Sequence, residues 1–178
     1  MPAPNASSRP AAVLVPVYRA DDGELRLVIV RRGDQGPHGG QLAFPGGKCE
    51  PGDGDALATA LRETREEIGL AAAQVEILAR LPEVETFVSA YRITPFLARI
   101  TPPAAWRCQE GEIAELIEVK VSDLVRPEAR GCGVFQPTGT PQPEEISFFR
   151  VGARQLWGAS YRILDPLVPR LLAGDWPV

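Results

Sequence analysis

Two runs of β-favouring residues open the patterned part of the chain: AAVLVPVYR at 11–19 and ELRLVIVRR at 24–32, joined by Asp21-Asp22-Gly23. Apolar, β-branched runs on either side of a short polar turn predict a hairpin. Residues 33–40 (GDQGPHGG) carry no period and read as a loop, and 41–44 read as a short strand stopped by Pro45-Gly46-Gly47. From 53 to 70 the period changes. Leu57, Ala60, Leu61, Thr64 and Ile68 recur at helical steps and predict one buried stripe. Further strands are expected at 75–81, 91–100, 113–121 and 146–151. Helical spacing returns at 158–172, but Pro166 and Pro169 each remove a backbone donor, so a kink or a split is expected there. Strands, one helix, more strands and a terminal helix predict a mixed sheet with helices packed on it, an α+β or α/β/α layered domain.

Composition narrows the class. The chain has 178 residues, 44% hydrophobic and 24% charged, which fits one soluble globular domain. Residues 1–10, rich in Pro, Ala and Ser, read as a flexible N-terminal tail ahead of a single domain at 11–178. Nineteen basic residues against 23 acidic give a net charge of −4, so a nucleic-acid partner is not expected. Apolar runs stay far short of the roughly 18 residues a membrane span needs, and no membrane partner is expected. Cys49, Cys108 and Cys132 form no CxxC pair and are odd in number. With no secretory leader pattern, that points to a reducing, cytoplasmic setting.

The chemistry concentrates at 46–70, GGKCEPGDGDALATALRETREEIGL. On a helical wheel Glu63, Glu66 and Glu67 fall on a face apart from the apolar stripe, at i, i+3 and i+4 from one another. A solvated acidic face is the plain reading. Against it, Glu63 and Glu67 are a like-charge i, i+4 pair, mildly destabilising by roughly 0.2–0.5 kcal/mol, and only Arg62 is placed to pair with Glu66 along the helix. A hard divalent cation offsets such crowding. Gly46-Gly47 lets the main chain approach closely and present a carbonyl to a metal.

Gly47, Asp53, Arg62, Glu63, Glu66, Glu67, Gly69 and Leu70 resemble the signature box of the Nudix family, G-x5-E-x7-R-E-U-x-E-E-x-G-U. Three departures are visible: Thr64 replaces an aliphatic residue, Asp53 replaces Glu, and eight residues rather than seven separate Asp53 from Arg62. The resemblance implies an α/β/α sandwich with a mixed sheet. It also implies an enzyme that hydrolyses nucleoside diphosphates linked to another group, using Mg²⁺ or Mn²⁺. By the same resemblance the metal ligands are Glu63, Glu66, Glu67 and the Gly47 carbonyl. Arg62 orients the glutamates through an ion pair, and the glutamate that serves as base stays open.

Just ahead of the box, RRGDQGPHGGQLAFPGG at 31–47 is similar to R-S-x-x-L-x-x-H-x-G-Q-x-x-F-P-G-G of the coenzyme A diphosphatase branch. Arg31, His38, Gly40, Gln41, Phe44, Pro45, Gly46 and Gly47 match in register. Ile93-Thr94-Pro95 and Trp157-Gly158 resemble further short signatures of it. Arg32 stands in place of Ser and Gln35 in place of Leu. The implied reaction cleaves coenzyme A or a derivative to 3′,5′-ADP and 4′-phosphopantetheine.

Arg31, Arg32 and Lys48 are candidate contacts for the anionic substrate, or else charges facing solvent. His38, the single histidine, is a site residue or a loop surface group. Glu112 resembles a downstream ligand or base of the branch, or is a strand-edge charge. Phe87, Tyr91 and Trp106 serve either adenine stacking or packing, and Cys49 has no neighbours that would activate it. Rival functions are hydrolysis of ADP-ribose, a dinucleotide or a nucleoside triphosphate by the same helix, a silent nucleotide-binding domain, and a purely structural acidic helix. A small-molecule nucleotide is the expected partner, and a homodimer stays open.

Overall fold

The computed structural model describes residues 8–35, 38–86, 90–135 and 143–178. The first two apolar runs form a hairpin, β1 (Arg9–Arg19) and β2 (Leu25–Arg32), with Val17 opposite Leu27 and Arg19 opposite Leu25. Next come β3 (Leu42–Ala43), β4 (Gly46–Lys48) and α1 (Ala56–Ile68). Strands β5 (Val75–Arg80), β6 (Val84–Glu85), β7 (Tyr91–Ile100) and β8 (Ile113–Lys120) follow. A smaller part comprises β9 (Arg130–Phe135), β10 (Glu144–Val151) and β11 (Arg154–Trp157), then α2 (Gly158–Leu164) and α3 (Leu167–Leu172).

The main sheet is mixed, as its pattern predicted. β1 and β7 run parallel from Arg9–Tyr91 to Val17–Arg99. β4 lies antiparallel along the start of β1, and β8 antiparallel along β2. Alternation along the central strands divides the core in two. Ala12, Leu14, Val28, Val30, Phe96 and Ala98 cluster with Ala60 and Ile68 of α1. Val15, Val17, Leu27, Ile29 and Leu97 cluster with Ile163, Leu164, Val168 and Leu171 of α2 and α3. Each central strand therefore buries both faces, and the result is an α/β/α sandwich. The second sheet, in order β11-β10-β9, adds the buried Phe149 and Leu156 to the α2–α3 side.

Several expectations need correction. β1 begins at Arg9 rather than 11, because Arg9 and Pro10 already pair with Tyr91 and Arg92. The Pro45-Gly46-Gly47 stop contributes a strand of its own, held by β1. β6, β9 and β11 were not expected; β9 (RGCGVF) gets its extended form from pairing with β10 rather than from propensity. The terminal helix splits at Pro166, which leads into α3. No helix among the described residues is long and apolar enough to cross a membrane.

Candidate active site

Helix α1 starts later than its periodicity implied. Asp55 is the N-cap, accepting from the Ala58 N–H at 2.8 Å, and Gly69 ends the helix with φ 74°. Asp53, expected inside the helix, is instead the anchor beneath it. Its carboxylate accepts from Arg62 Nε at 2.8 Å and a terminal Arg62 nitrogen at 3.0 Å, from Thr59 Oγ1 at 2.8 Å and from the Glu50 N–H at 2.9 Å. Those donors, Arg62 first, hold the Asp53 carboxyl well below the usual carboxylate range. The same guanidinium donates to the Lys48 carbonyl at 3.2 Å and places its remaining nitrogen 3.1 Å from both Glu63 Oε1 and Glu66 Oε2. Arg62 thus ties two of the three glutamates to a fixed base. Asp53 lies ahead of α1, and with eight residues between them it and Arg62 form a bidentate pair.

The three glutamates do not share one solvated face. Glu66 is 53% exposed, Glu63 16% and Glu67 2%. The buried side of α1 consists of Thr59, Ala60, Thr64, Glu67 and Ile68; Leu57 and Leu61 are only half-buried. The stripe is rotated toward Glu67 relative to the wheel expectation. Glu67 Oε2 accepts from the Gly46 N–H at 2.9 Å. Burial, offset in part by that hydrogen bond and by Arg32, pushes its pKa to about 7. Burial also raises Glu63, against the pull of Arg62.

The glycine pair is a fitted element. Gly46 has φ 148°, and a Cβ there would overlap the Ala12 carbonyl and Val13. A Cβ on Gly47 would overlap the Glu63 carboxylate. Sequence reasoning treated the pair as a carbonyl donor to metal; it missed the Gly46 N–H as the partner of Glu67. The like-charge crowding at Glu63 and Glu67 was the one available signal that a glutamate needed a special partner.

Strand alternation separates two neighbouring arginines. Arg32 follows Val28 and Val30 onto the α1 face, 3.8 Å from Glu67 Oε1 and 3.6 Å from Glu112 Oε1. Glu112 therefore joins the group around α1. Arg31 follows Leu27 and Ile29 to the opposite face, bound to Asp34 at 2.7 Å and 3.7 Å from Glu115. Lys48 has an exposed side chain. His38 is exposed, with Nδ1 3.3 Å from Gln41 Oε1. Tyr91 lies beneath the Arg9 guanidinium at 4.4 Å, and Trp106 donates to Glu118 at 3.0 Å. Phe87 lies outside the described residues.

As the side chains stand, no three acidic, His or Cys groups among the described residues close around a common point. Each carboxylate is turned to a protein partner: Glu63 and Glu66 to Arg62, Glu67 to Gly46 and Arg32, Glu112 to Arg32. The donor chemistry fits a hard divalent cation nonetheless. Four carboxylates and the backbone at Gly47, packed against Glu63 with no room for a Cβ, are all oxygen donors of the type Mg²⁺ and Mn²⁺ take.

The sequence model of the NUDIX domain matches residues 8–132. The chain is 35% identical over 120 residues to the uncharacterized Nudix hydrolase NudL of Cronobacter sakazakii, covering 67% of this chain and 62% of that one. The match therefore spans about 62% of that relative's length. Among solved structures, a Nudix hydrolase from M. smegmatis, RenU, superposes with a TM-score of 0.64 at 18% identity, over 96% of this chain and 89% of that one. The binary complex of a C. elegans Ap4A hydrolase gives a TM-score of 0.54 at 22% identity, over 66% and 83%. These two likenesses establish the shared fold.

Proposed function

The chain belongs to the Nudix family, and from that premise we propose that it hydrolyses the diphosphate linkage of a nucleoside diphosphate derivative, coenzyme A or a derivative of it, with Mg²⁺ or Mn²⁺. The observation that carries the reading is the arrangement on α1: Glu63, Glu66 and Glu67 on successive turns beside the Gly46–Gly47 backbone, with Arg62 locked onto Asp53. A surface acidic helix has no use for a 2%-exposed glutamate against a glycine that tolerates no side chain.

In this reading Glu63, Glu66, Glu67 and the Gly47 carbonyl hold the cation, with Glu112 as a further carboxylate. When bound, the cation neutralises the diphosphate and acidifies water. Arg62 acts through the glutamates: its ion pairs fix the rotamers of Glu63 and Glu66 before substrate arrives. Burial excludes bulk water from Glu67, so the proton of the attacking water goes to a carboxylate that water reaches, and Glu66 and Glu112 meet that condition. A hydroxyl from water bonds to one phosphorus as the bond from that phosphorus to the bridging oxygen breaks. From coenzyme A the products are 3′,5′-ADP and 4′-phosphopantetheine. The coenzyme A assignment rests on the 31–47 pattern; Phe44 of that pattern is 3% exposed in the core, and Gly40 and Gln41 close the loop back onto Arg32.

The test is product chromatography after incubation with coenzyme A, ADP-ribose, a dinucleotide and a nucleoside triphosphate, each with Mg²⁺ or Mn²⁺. Conversion of coenzyme A to those two products is expected. Intact coenzyme A alongside consumed ADP-ribose rejects the substrate class, and no turnover of any compound rejects the reaction.

A further inference from the structure

Two arginines face the carboxylates, and they are held in different ways. Arg62 makes short hydrogen bonds to both Asp53 oxygens, to the Lys48 carbonyl and to Glu66, between 2.8 and 3.2 Å. Arg32 stands 3.8 Å from Glu67 and 3.6 Å from Glu112, both beyond hydrogen-bond range. Charge, not geometry, keeps it there, and its side chain is 35% exposed. Glu67 on the other side of the pair is immobile: buried, with Oε2 on the Gly46 N–H. A carboxylate at that depth needs a compensating cation, and Arg32 supplies it at Oε1.

We infer that Arg32 is the exchangeable counter-ion of the metal-free protein: its guanidinium balances Glu67 and Glu112 until a divalent cation takes those carboxylates, and it then withdraws. This rests on the metal-dependent reading above. A guanidinium and a divalent ion within about 4 Å of the same two carboxylates repel one another. Arg62 stays beside Glu63 and Glu66 because the Asp53 carboxylate both clamps it and balances its charge; Arg32 has no such anchor and is held by two long pairs, so it is the one that can leave. The exchange lowers metal affinity. It also releases a planar set of N–H donors beside the site, suited to the oxygens of a phosphate.

The experiment titrates Mn²⁺ alone into the wild type, Arg32→Gln, Arg32→Ser and Arg32→Lys at pH 8, with the melting temperature of each metal-free protein recorded. Arg80→Gln, at a 62%-exposed position, controls for loss of one distant positive charge. Both neutral Arg32 variants are expected to bind Mn²⁺ about tenfold more tightly, a change of about 1.4 kcal/mol, while melting lower without metal. Arg32→Lys and Arg80→Gln are expected to stay near the wild type. A merely structural arginine would lower the melting temperature and leave metal affinity unchanged or weaker, and that result overturns the exchange. So does an equal gain in Arg80→Gln. Absence of Mn²⁺ binding in every protein, wild type included, overturns the metal-dependent reading together with the exchange. Wild-type binding that Glu67→Gln abolishes and Arg32→Gln leaves unaltered overturns the exchange alone.

Discussion

Replacing Glu67 by Gln separates the stability of this fold from its chemistry. The glutamine keeps an oxygen for the Gly46 N–H, which now meets Glu67 at 2.9 Å, and removes the charge. In the metal-free protein the Glu67 pKa lies at about 7 against an ordinary 4.5. The folded state therefore holds this proton more tightly than the unfolded chain does. Stability is complete below about pH 4.5 and is lost as the pH rises through about 7. At about 1.4 kcal/mol per pH unit, the whole gap amounts to about 3 kcal/mol. Urea unfolding in EDTA, at pH 5.5 and pH 8, measures it. Subtracting the variant from the wild type removes the contribution of the other titrating groups. The Gln variant is expected to gain about 2 kcal/mol on the wild type between those two pH values, and to melt several degrees higher at pH 8. Mn²⁺ should then raise the wild-type melting temperature and not that of the variant, while turnover falls by orders of magnitude. Parallel pH dependences for the two proteins would refute the burial argument, because a Glu67 that reaches solvent has no such penalty to shed.

Three further changes probe the support of the site. Gly47→Ala sets a Cβ into the Glu63 carboxylate; metal-dependent turnover should fall at least tenfold with the far-ultraviolet dichroism intact, and an unchanged rate would show that Glu63 moves aside at no cost. Asp53→Asn removes the charge that holds Arg62. The Asp53 carboxyl lies below its ordinary value, so it contributes stability above that ordinary value that is lost as the pH falls below it; the variant should show a shallower loss in acid titrations followed by fluorescence, and a lower kcat. Thr64 is 1% exposed, with an Oγ1 that has no hydrogen-bond partner. Thr64→Val should therefore stabilise the protein by about 1 kcal/mol in urea melts, and a loss of stability would mean the hydroxyl is satisfied in solution.

The hairpin, the long helix and the proline-split C-terminal helix were legible because each depends on a local period or a local breaker. β4 and β9 were not, because their extended form comes from partners distant in sequence, Gly46 from Val13 and Cys132 from Ser147; β6 and β11 pair with near neighbours, Val84 with Ile93 and Arg154 with Val151, but are too short to carry a period. The same division runs through the site. Arg62, Glu63 and Glu66 were readable from one helical turn. Arg31 and Arg32 read together as candidate substrate contacts, although successive strand residues face opposite sides and the structure puts only Arg32 beside the glutamates.

Glu67 is the instructive case. Seven residues make close to two turns, so Glu67 stands almost directly over Ala60, a fully buried position. The reading that set Glu67 on a face apart from the apolar stripe followed its chemical type; at about 100° per residue it falls beside Ala60. A carboxylate occupies a core position when something on the far side donates a hydrogen bond to it, and here that is the Gly46 N–H, on a strand whose own pairing with β1 no local pattern predicted. The mismatch between residue type and position is thus the physical signature of the site: Glu67 lowers the stability of the metal-free fold so that a charged oxygen waits in a region of low dielectric, where a cation binds it most strongly.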